Sequence, residues 1–262
     1  MKHFFYKYQG AGNDFVLIDD RTMNFKKDAK LVRGLCDRKF GIGADGLILL
    51  QNPIKEGEDF KMVYFNADGN EASMCGNGAR CISAFAKHLG VVAEKAVFSA
   101  SDGSHQAVFD QGLVRVQMQN VSEITKTGDD AYFLDTGSPH YVLFTSNIDE
   151  IEVKTEGRKI RNNETYRENG VNVNFVSLGP NENKFFVRTY ERGVEDETLS
   201  CGTGATAVAL AAHFSGKTGE QQIFIETPGG KLSVAFEAVS GKYKNIWLTG
   251  PVELVFKGEI EC

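Results

Sequence analysis

The sequence lacks the features that mark membrane, secreted and nucleic-acid-binding proteins. Its longest apolar runs, AVALAA and GLILL, are far too short to span a bilayer. The first residues, MKHFFYKYQGAGNDF, lack the long apolar segment and cleavage site of a signal peptide. The basic residues form no stripe and the formal net charge is −6, which argues against nucleic acid as a partner. These absences predict a cytoplasmic protein that binds neither nucleic acid nor membrane.

The five cysteines also lack the spacing of a disulfide framework or a zinc site. Their number is odd, their spacing is irregular and no C-x-x-C or paired histidine motif occurs. We therefore expect no bound metal. The composition, 42% hydrophobic and 24% charged, is that of an ordinary globular protein. A length of 262 residues allows one large core or two domains of roughly 130 residues each.

The sequence contains two copies of one glycine-rich turn. The stretch MCGNGARC begins at Met74, and SCGTGATA begins at Ser200. An offset of 126 residues (201 − 75) superimposes the two cysteines and the Gly-x-Gly-Ala that follows each of them. Sparse identities at the same offset continue on both sides, including Tyr64 with Tyr190 and Val16-Leu17 with Val142-Leu143. A fixed register over this length predicts a duplicated unit and is far too long for a solenoid repeat.

The local patterns predict an α+β fold built from two domains of like topology. In each half a strand-like segment, KMVYFNADGN or KFFVRTYERG, precedes a helix-like segment, ARCISAFAKHLG or GATAVALAAHFSG, and further strand-like segments follow. We place the N-terminal domain at residues 1–120 and the C-terminal domain at residues 121–249. The last segment, residues 250–262, follows the end of the second repeat and is expected to return to the first domain as an extra strand.

The two Cys-Gly turns have the chemistry of an anion site beside a reactive thiol. Glycine permits a positive φ and close approach of a ligand to the backbone. The first N–H groups of the helix that follows have no intrahelical partner, and the helix dipole favours a carboxylate there. A cysteine at the same place gains thiolate character. We interpret Cys75 and Cys201 as functional, and Cys36, Cys81 and Cys262 as structural or incidental.

Together the two turns suggest a reaction. If two like domains face each other, one carboxylate can take N–H bonds from both helices, and the two sulfurs lie on opposite faces of one carbon. Inversion of a stereocentre needs one group that removes a proton and another that delivers a proton to the opposite face. The residues therefore indicate a two-base epimerase or racemase.

Several ordered motifs resemble the diaminopimelate epimerase family over nearly the whole chain. They are QGAGNDF (9–15), GIGADG (41–46), FNADGNEASMCGNGARC (65–81), TGSPHYV (136–142), GVNVNF (170–175) and YERGVEDETLSCGTGA (190–205). The resemblance implies two similar domains, each with a mixed sheet around a central helix. It also implies a homodimer and a cofactor-independent epimerase that interconverts the LL and meso forms of 2,6-diaminopimelate in lysine and peptidoglycan synthesis.

The resemblance assigns a role to each matching residue. Cys75 and Cys201 match the catalytic cysteines, and His140 and Glu191 match positions that tune the pKa of those cysteines. The backbone N–H groups that match the carboxylate cradle are those of Gly76, Asn77, Gly202 and Thr203. The side chains that match binders of the polar ends of the substrate are Asn13, Asn66, Asn172, Glu191 and Arg192. Ser138 stands where the family often has asparagine, so we keep it as a weaker binding candidate.

Two alternatives stay open from the residues alone. A racemase of another amino acid, of the proline or histidine type, would use the same two cysteines. Proline-type relatives typically carry histidine where Asn77 stands and need no Glu191–Arg192 pair, which favours diaminopimelate. A non-catalytic carboxylate-binding protein would use the helix termini alone, and the presence of both cysteines argues against it.

Overall fold

The computed structural model describes residues 2–72 and 74–262 of the chain. Ser73, within the motif that leads into Cys75, lies outside the described residues. The chain divides into two compact units. Unit 1 contains the described residues up to Val116 together with Gly250–Cys262, and unit 2 contains Gln117–Thr249.

Unit 1 is a mixed sheet with two helices. Its strands are β1 (Lys2–Gly10), β2 (Asn13–Asp19), β3 (Gly46–Gln51), β4 (Phe60–Asn66), β5 (Lys95–Ala100), β6 (Gly103–Asp110), β7 (Leu113–Gln117) and β17 (Glu253–Glu261). Its helices are α1 (Ala29–Cys36) and α2 (Gly76–His88). The β2–β3 and β4–β5 pairs are parallel. The β17–β1, β1–β2, β3–β4, β5–β6 and β6–β7 pairs are antiparallel.

Unit 2 repeats this arrangement. Its strands are β8 (Ile124–Gly128), β9 (Ala131–Asp135), β10 (Pro139–Phe144), β11 (Asn172–Leu178), β12 (Lys184–Glu191), β13 (Asp196–Thr198), β14 (Gln222–Thr227), β15 (Gly230–Val239) and β16 (Lys242–Pro251). Its helices are α3 (Val153–Arg161) and α4 (Gly202–Phe214). Parallel pairs again occur twice, at β10–β11 and β12–β14, with antiparallel pairs elsewhere. Allowing for the short β13, the series of parallel and antiparallel pairs is the same in both units.

The long helix of each unit is central to that unit. Helix α4 has no polar face: every residue from Gly202 to Ala212 is buried, and the helix contacts β9, β10, β11, β12, β14 and β15. Helix α2 contacts β1, β2, β3, β4 and β6 and is likewise buried through most of its length. A helix that is buried all round requires small and apolar residues on every face. The Gly- and Ala-rich sequences after Cys75 and Cys201 supply them, so the predicted α+β fold of two similar units, each with a mixed sheet around a central helix, is confirmed.

The C-terminal strand β17 belongs to unit 1. It pairs antiparallel with β1 over most of its length, from Lys2 opposite Glu261 to Gln9 opposite Glu253. In unit 2 the equivalent place beside β9 is taken by β8, which follows β7 in sequence. Among the described residues, no helix is both long and apolar enough to cross a bilayer.

The single 126-residue offset between the halves is wrong in detail. In unit 1 the helix α2 packs on Ile48, which pairs with Leu17; in unit 2 the equivalent contact of α4 is with Asn174, which pairs with Val142. The offset is therefore 126 between β3 and β11 (174 − 48) but 125 between β2 and β10 (142 − 17). The identities between Val16-Leu17 and Val142-Leu143 thus do not mark equivalent positions, because the connections in the two units differ in length.

Candidate active site

Cys75 and Cys201 each occupy the residue immediately before a central helix. Both have extended backbone angles, φ −111° and ψ 122° for Cys75 and φ −124° and ψ 116° for Cys201, as an N-cap requires. Each carbonyl accepts the first helical hydrogen bond, from Ala79 N–H at 2.7 Å and from Ala205 N–H at 2.8 Å. Neither helix carries an acidic residue in its first turn, so no carboxylate of the helix itself offsets the positive end of the dipole. Each helix start therefore has the features that favour an anion, and it has them beside a thiol.

Asn13 lies directly against Cys75 in unit 1. Its Oδ1 atom is 3.7 Å from the Cys75 Sγ atom and accepts a hydrogen bond of 3.2 Å from the Asn77 Nδ2 atom. The Asn13 Nδ2 atom donates to an Asp45 carboxylate oxygen at 2.7 Å, which fixes the orientation of the amide. Three residues of the sequence-predicted site are therefore brought together in this unit.

A charged network holds Asp45 and therefore Asn13. Arg38 donates to Asp14 at 2.7 and 3.0 Å and to Asp45 at 2.8 Å, and Lys7 forms an ion pair with Asp14 at 2.6 Å. Burial raises the pKa of Asp14, but the hydrogen bonds and charges of Arg38 and Lys7 outweigh burial and lower that pKa to about 2. Asp14 therefore stays ionised at neutral pH, and Arg38 links it to Asp45, which holds the Asn13 amide.

The structure does not bring the Asn66 side chain to this group. Asn66 is exposed at the end of β4, and within residues 2–72 and 74–262 no hydrogen bond joins its side chain to Asn13. Its backbone forms a turn, accepting from the Gly69 N–H at 2.9 Å and donating to the Asn70 carbonyl at 3.0 Å.

In unit 2 the Cys201 thiol is buried against the first turn of its own helix. The Cys201 Sγ atom is 3.4 Å from the Thr203 hydroxyl oxygen, and the Thr136 hydroxyl donates to the Thr203 carbonyl at 2.9 Å. These contacts tie the helix start to the turn after β9. Thr203 therefore offers a side-chain hydroxyl as well as its backbone N–H at this position.

His140 is fully buried and uncharged at neutral pH. Burial, with a smaller contribution from Arg192, lowers the pKa of His140 to about 3. The Asn174 Nδ2 atom donates to the Tyr141 carbonyl at 3.2 Å, so it is also the donor toward His140 Nδ1 at 3.0 Å. We infer from this network that the ring proton is on Nε2. The Nε2 atom is buried and has no hydrogen-bond partner among the described residues, so His140 offers a neutral N–H donor rather than a positive charge.

Asn172 connects Ser138 and Arg192. Its Nδ2 atom donates to the Ser138 hydroxyl at 2.9 Å and to the Pro139 carbonyl at 3.1 Å, and its Oδ1 atom accepts from the Arg192 backbone N–H at 2.9 Å. The Arg192 guanidinium is 3.4 Å from the same Ser138 oxygen and donates to the Asn169 carbonyl at 2.9 Å. Asn172 therefore positions Ser138 through its amide nitrogen and the Arg192 backbone through its amide oxygen.

Glu191 is half-buried and accepts a hydrogen bond of 2.9 Å from the Thr198 hydroxyl. The contact joins β12 to β13 next to Arg192. In the described part of the chain no cluster of three His, Cys, Asp or Glu side chains has the arrangement of a metal site.

Sequence reasoning missed several supporting residues. They are Lys7, Arg38, Asp45, Thr136, Asn174 and Thr198. The motif GVNVNF carried a usable signal, because it places two asparagines two residues apart on one face of a strand, where a buried amide must be hydrogen-bonded. Asp45, Thr136 and Thr198 lie within other quoted motifs, but nothing in those motifs indicates their partners. Lys7 and Arg38 lie outside the motifs, and only the folded chain brings them to Asp14.

The burial of His140 predicts a pH-dependent stability. An unfolded histidine has a pKa near 6.5, so the unfolded chain binds a proton at this residue below that pH. In the folded chain His140 binds the proton only near pH 3, because its pKa is lowered to about 3. The free energy of unfolding should therefore fall with decreasing pH, by about 1.6 kcal/mol between pH 6.5 and pH 5 from this residue. Urea unfolding of the wild type and His140→Gln at several pH values measures the difference in slope.

The matched control is His88→Gln, because His88 is exposed near the end of α2. This variant should keep the wild-type slope. Equal slopes for the wild type and His140→Gln would contradict the neutral, buried state of His140.

The sequence and the fold have known relatives. The family model described as "Diaminopimelate epimerase" matches residues 5–129 and again residues 132–255. Diaminopimelate epimerase of Flavobacterium psychrophilum is 51% identical over 257 residues, covering 97% of this chain and 99% of that protein. Diaminopimelate epimerase of Aquifex aeolicus is 40% identical over 274 residues, covering 98% and 97%.

Solved structures share the fold at low sequence identity. A Bacillus anthracis phenazine biosynthesis protein of the PhzF family has a TM-score of 0.78 at 12% identity, covering all of both chains. A hydroxyproline epimerase from Agrobacterium vitis with bound trans-4-hydroxy-L-proline has a TM-score of 0.69 at 12% identity, covering 99% of this chain and 92% of that chain. These likenesses extend the fold to distant proteins, whereas the sequence matches are much closer and cover both halves. The chain therefore belongs to the diaminopimelate epimerase family.

Proposed function

We propose that this epimerase interconverts LL- and meso-2,6-diaminopimelate, the step that its family performs in lysine and peptidoglycan precursor synthesis. The observation that carries the proposal is the occurrence of a cysteine as N-cap of each of the two buried central helices, Cys75 before α2 and Cys201 before α4. The near relatives named diaminopimelate epimerase support the choice of substrate.

The reaction proceeds by transfer of two protons. The thiolate of one cysteine takes the α-proton of the substrate, so the Cα–H bond breaks, an S–H bond forms and the electron pair moves into the carboxylate as an enolate. The thiol of the other cysteine then donates its proton to the opposite face, which restores Cα–H with inverted configuration. The two sulfurs exchange protonation states in each turnover, and proton exchange with water resets them.

The helix termini stabilise the charge that develops. In the enolate, negative charge increases on the carboxylate oxygens of the reacting centre. Backbone N–H groups fixed in position lower the energy of that state without reorganising. We assign this role to the N–H groups of Gly76, Asn77, Gly202 and Thr203, which begin α2 and α4. His140, with its proton on Nε2, adds a neutral donor, and Glu191 adds a carboxylate that tunes the thiols.

The polar ends of the substrate require further side chains. We assign the carboxylate at the far end to Arg192, because a guanidinium matches a carboxylate with two parallel hydrogen bonds. Glu191 receives an ammonium group. In unit 1 we assign Asn13 and Asn66 to binding the polar ends of the substrate. Asn172 and Ser138 contribute by holding Arg192, since both contact it.

Exchange of the α-hydrogen in deuterated water tests the proposal. The protein is incubated separately with LL-diaminopimelate, L-proline and L-histidine, and loss of the α-proton signal is followed by NMR. Exchange with LL-diaminopimelate alone is the expected result. Exchange with proline or histidine instead would establish the alternative racemase, and no exchange with any of them would overturn both enzymatic functions.

The same proposal includes a homodimer in the cytoplasm that acts on a small molecule and needs no cofactor. These expectations follow from membership of the family. The proline-type alternative has less support, because the proline racemase and hydroxyproline epimerase structures share only 15% and 12% identity with this chain.

A further inference from the structure

Arg80 is a charged residue in the buried part of helix α2, whose other charged side chain, Lys87, lies exposed in the last turn. Its side chain is fully buried in α2. One terminal nitrogen donates to Asn77 Oδ1 at 3.0 Å and the other lies 3.4 Å from the Gly76 carbonyl. The Nε atom has no hydrogen-bond partner among the described residues. Arg80 thus reaches back along the helix toward the residues that follow Cys75.

No carboxylate compensates this charge in the described part of the chain. The thiols that interact electrostatically with Arg80 are those of Cys81, its neighbour in α2, and Cys75, which directly precedes the two residues that Arg80 contacts, and a negative charge on either thiol would stabilise the guanidinium. Burial lowers the pKa of the guanidinium, but the ordinary pKa of arginine is so high that the group stays protonated in proteins. A buried charge without a counter-charge is strongly destabilising. An anion must therefore balance Arg80, and the choice lies between two thiols.

Cys81 does not supply the anion. It is fully buried in the core of unit 1, and burial raises its pKa far above the ordinary range of a thiol in spite of the Arg80 charge. Cys81 therefore stays a neutral thiol. Cys75 is only half-buried and caps the positive end of α2, so its charged form loses less solvation and gains the helix dipole.

The other charged groups near Cys75 are already paired. On the side of β2, Asp14 is bound by Lys7 and Arg38, and Asp45 by Arg38. The residue between this network and Cys75 is Asn13, which is neutral. Among the described residues of this part of unit 1, Arg80 is therefore the charged group that has no oppositely charged partner.

The second unit has no such charge. An offset of 126 along the central helices (206 − 80) places Thr206 of α4 where α2 has Arg80. Thr206 is buried and donates to the Gly202 carbonyl at 3.0 Å, just as Arg80 points to the carbonyl of Gly76. Both units therefore keep a side-chain contact to this carbonyl, but only unit 1 makes it with a charged group, which also contacts the side chain of Asn77.

We propose that Arg80 is a positioning residue that holds the negative charge of the Cys75 thiolate, so that Cys75 rather than Cys201 is the resting base of the enzyme. This inference rests on the proposed function for the role of the base, but the charge state itself is independent of turnover. Arg80 acts through Cys75 and through the Asn77 amide that it orients, and it does not touch the substrate.

Alkylation at each cysteine tests the proposal without substrate. The wild type, Arg80→Gln and Arg80→Lys are treated with iodoacetamide between pH 5 and pH 10, and peptide mass spectrometry gives a separate rate for Cys75 and Cys201. In the wild type the midpoint for Cys75 should lie below that for Cys201. Loss of a nearby cation should raise the Cys75 midpoint by about 1 pH unit in Arg80→Gln, a roughly tenfold lower rate at pH 7. Arg80→Lys should recover most of that rate.

Internal controls separate this effect from loosening of the fold. The Cys201 midpoint should be the same in all three proteins, and the exposed Cys262 serves as a reference thiol. Equal movement of the Cys75 and Cys201 midpoints, or an unmoved Cys75 midpoint, would overturn the proposal. An unmoved midpoint with a raised KM would show instead that Arg80 serves the substrate carboxylate. If Arg80→Gln does not fold, a wild-type Cys75 midpoint at or above that of Cys201 still overturns the proposal.

The two proposals fail in different ways. If the Cys75 midpoint depends on Arg80 but the protein exchanges no α-hydrogen of diaminopimelate, the pairing of Arg80 with Cys75 stands and the proposed epimerase function is refuted. If the protein turns over diaminopimelate but Cys201 is the more acidic thiol, the epimerase function stands and the proposal for Arg80 is refuted.

Discussion

Replacing Cys75 or Cys201 with serine is expected to lower kcat for diaminopimelate by at least about 10²–10⁴-fold, the contribution typical of a general acid or base. A serine hydroxyl keeps the size and hydrogen bonds of the thiol but is far less acidic, so it supplies neither a base at neutral pH nor a matched acid. KM should change little, because the helix N–H groups that we propose as the carboxylate cradle remain. Initial rates in both directions measure the effect.

The controls are the cysteines without an assigned role. Cys81 lies in α2, the helix that Cys75 caps, but it is buried in the core, and Cys262 is exposed at the C-terminus. The control variants are Cys81→Ala and Cys262→Ser. Both should keep kcat within a few-fold of the wild type. Near-normal kcat in either Cys75→Ser or Cys201→Ser would refute the assignment of two thiols.

The second large effect is expected at Gly204, in the first turn of α4. A Cβ atom there would lie 2.4 Å from Asn174 Oδ1 and 3.2 Å from the Cys201 Cβ atom. Asn174 cannot move freely, because it is bound to His140, the Tyr141 carbonyl and the Thr189 hydroxyl. Gly204→Ala should therefore lower the free energy of unfolding by about 1–3 kcal/mol, the usual cost of overpacking, and should lower kcat through displacement of Asn174 and Cys201. Urea unfolding and steady-state rates measure both.

The duplication provides the control at the equivalent position, Gly78 of α2. There the added Cβ atom would meet the ends of two apolar side chains, Ile48 Cδ1 at 3.0 Å and Met62 Cε at 3.4 Å. These ends can rotate, and alanine is the better helix former, so Gly78→Ala should cost less than Gly204→Ala. An equal loss of stability in the two variants would contradict this account of the packing around Asn174.

The sequence predicted the two central helices better than the two short ones. The stretches after Cys75 and Cys201 are rich in small and apolar residues and have a glycine just beyond the end, and both form helices of thirteen residues. Helix α1 has only eight residues, and helix α3 contains Gly157, whose lack of a side chain admits Tyr190: a Cβ atom there would be 2.4 Å from that of the tyrosine. Because glycine has a low helix propensity, Gly157 makes α3 harder to predict from the sequence, although the fold needs glycine there to admit Tyr190.

The candidate site divides in the same manner. A local motif indicates the helix starts, because the cysteine, the glycines and the helix lie within a few residues of one another. The supports depend on the fold: Asp45 reaches Asn13 from another element, and Asn174 reaches His140 across paired strands. Arg80 was visible in MCGNGARC, but its significance depends on its burial and on the absence of a carboxylate partner among the described residues, which no motif reveals.

The central claim is that two different thiols act on the two faces of one carbon. The most direct test is the deuterium content of product and of remaining substrate during the first few per cent of conversion of LL-diaminopimelate in deuterated water. The account predicts that every meso product molecule carries deuterium at the inverted carbon, because the second thiol has exchanged with solvent, while recovered LL substrate carries almost none. Product that retains the original hydrogen, or deuterium that enters the substrate as fast as the product, would indicate a single base and contradict the account.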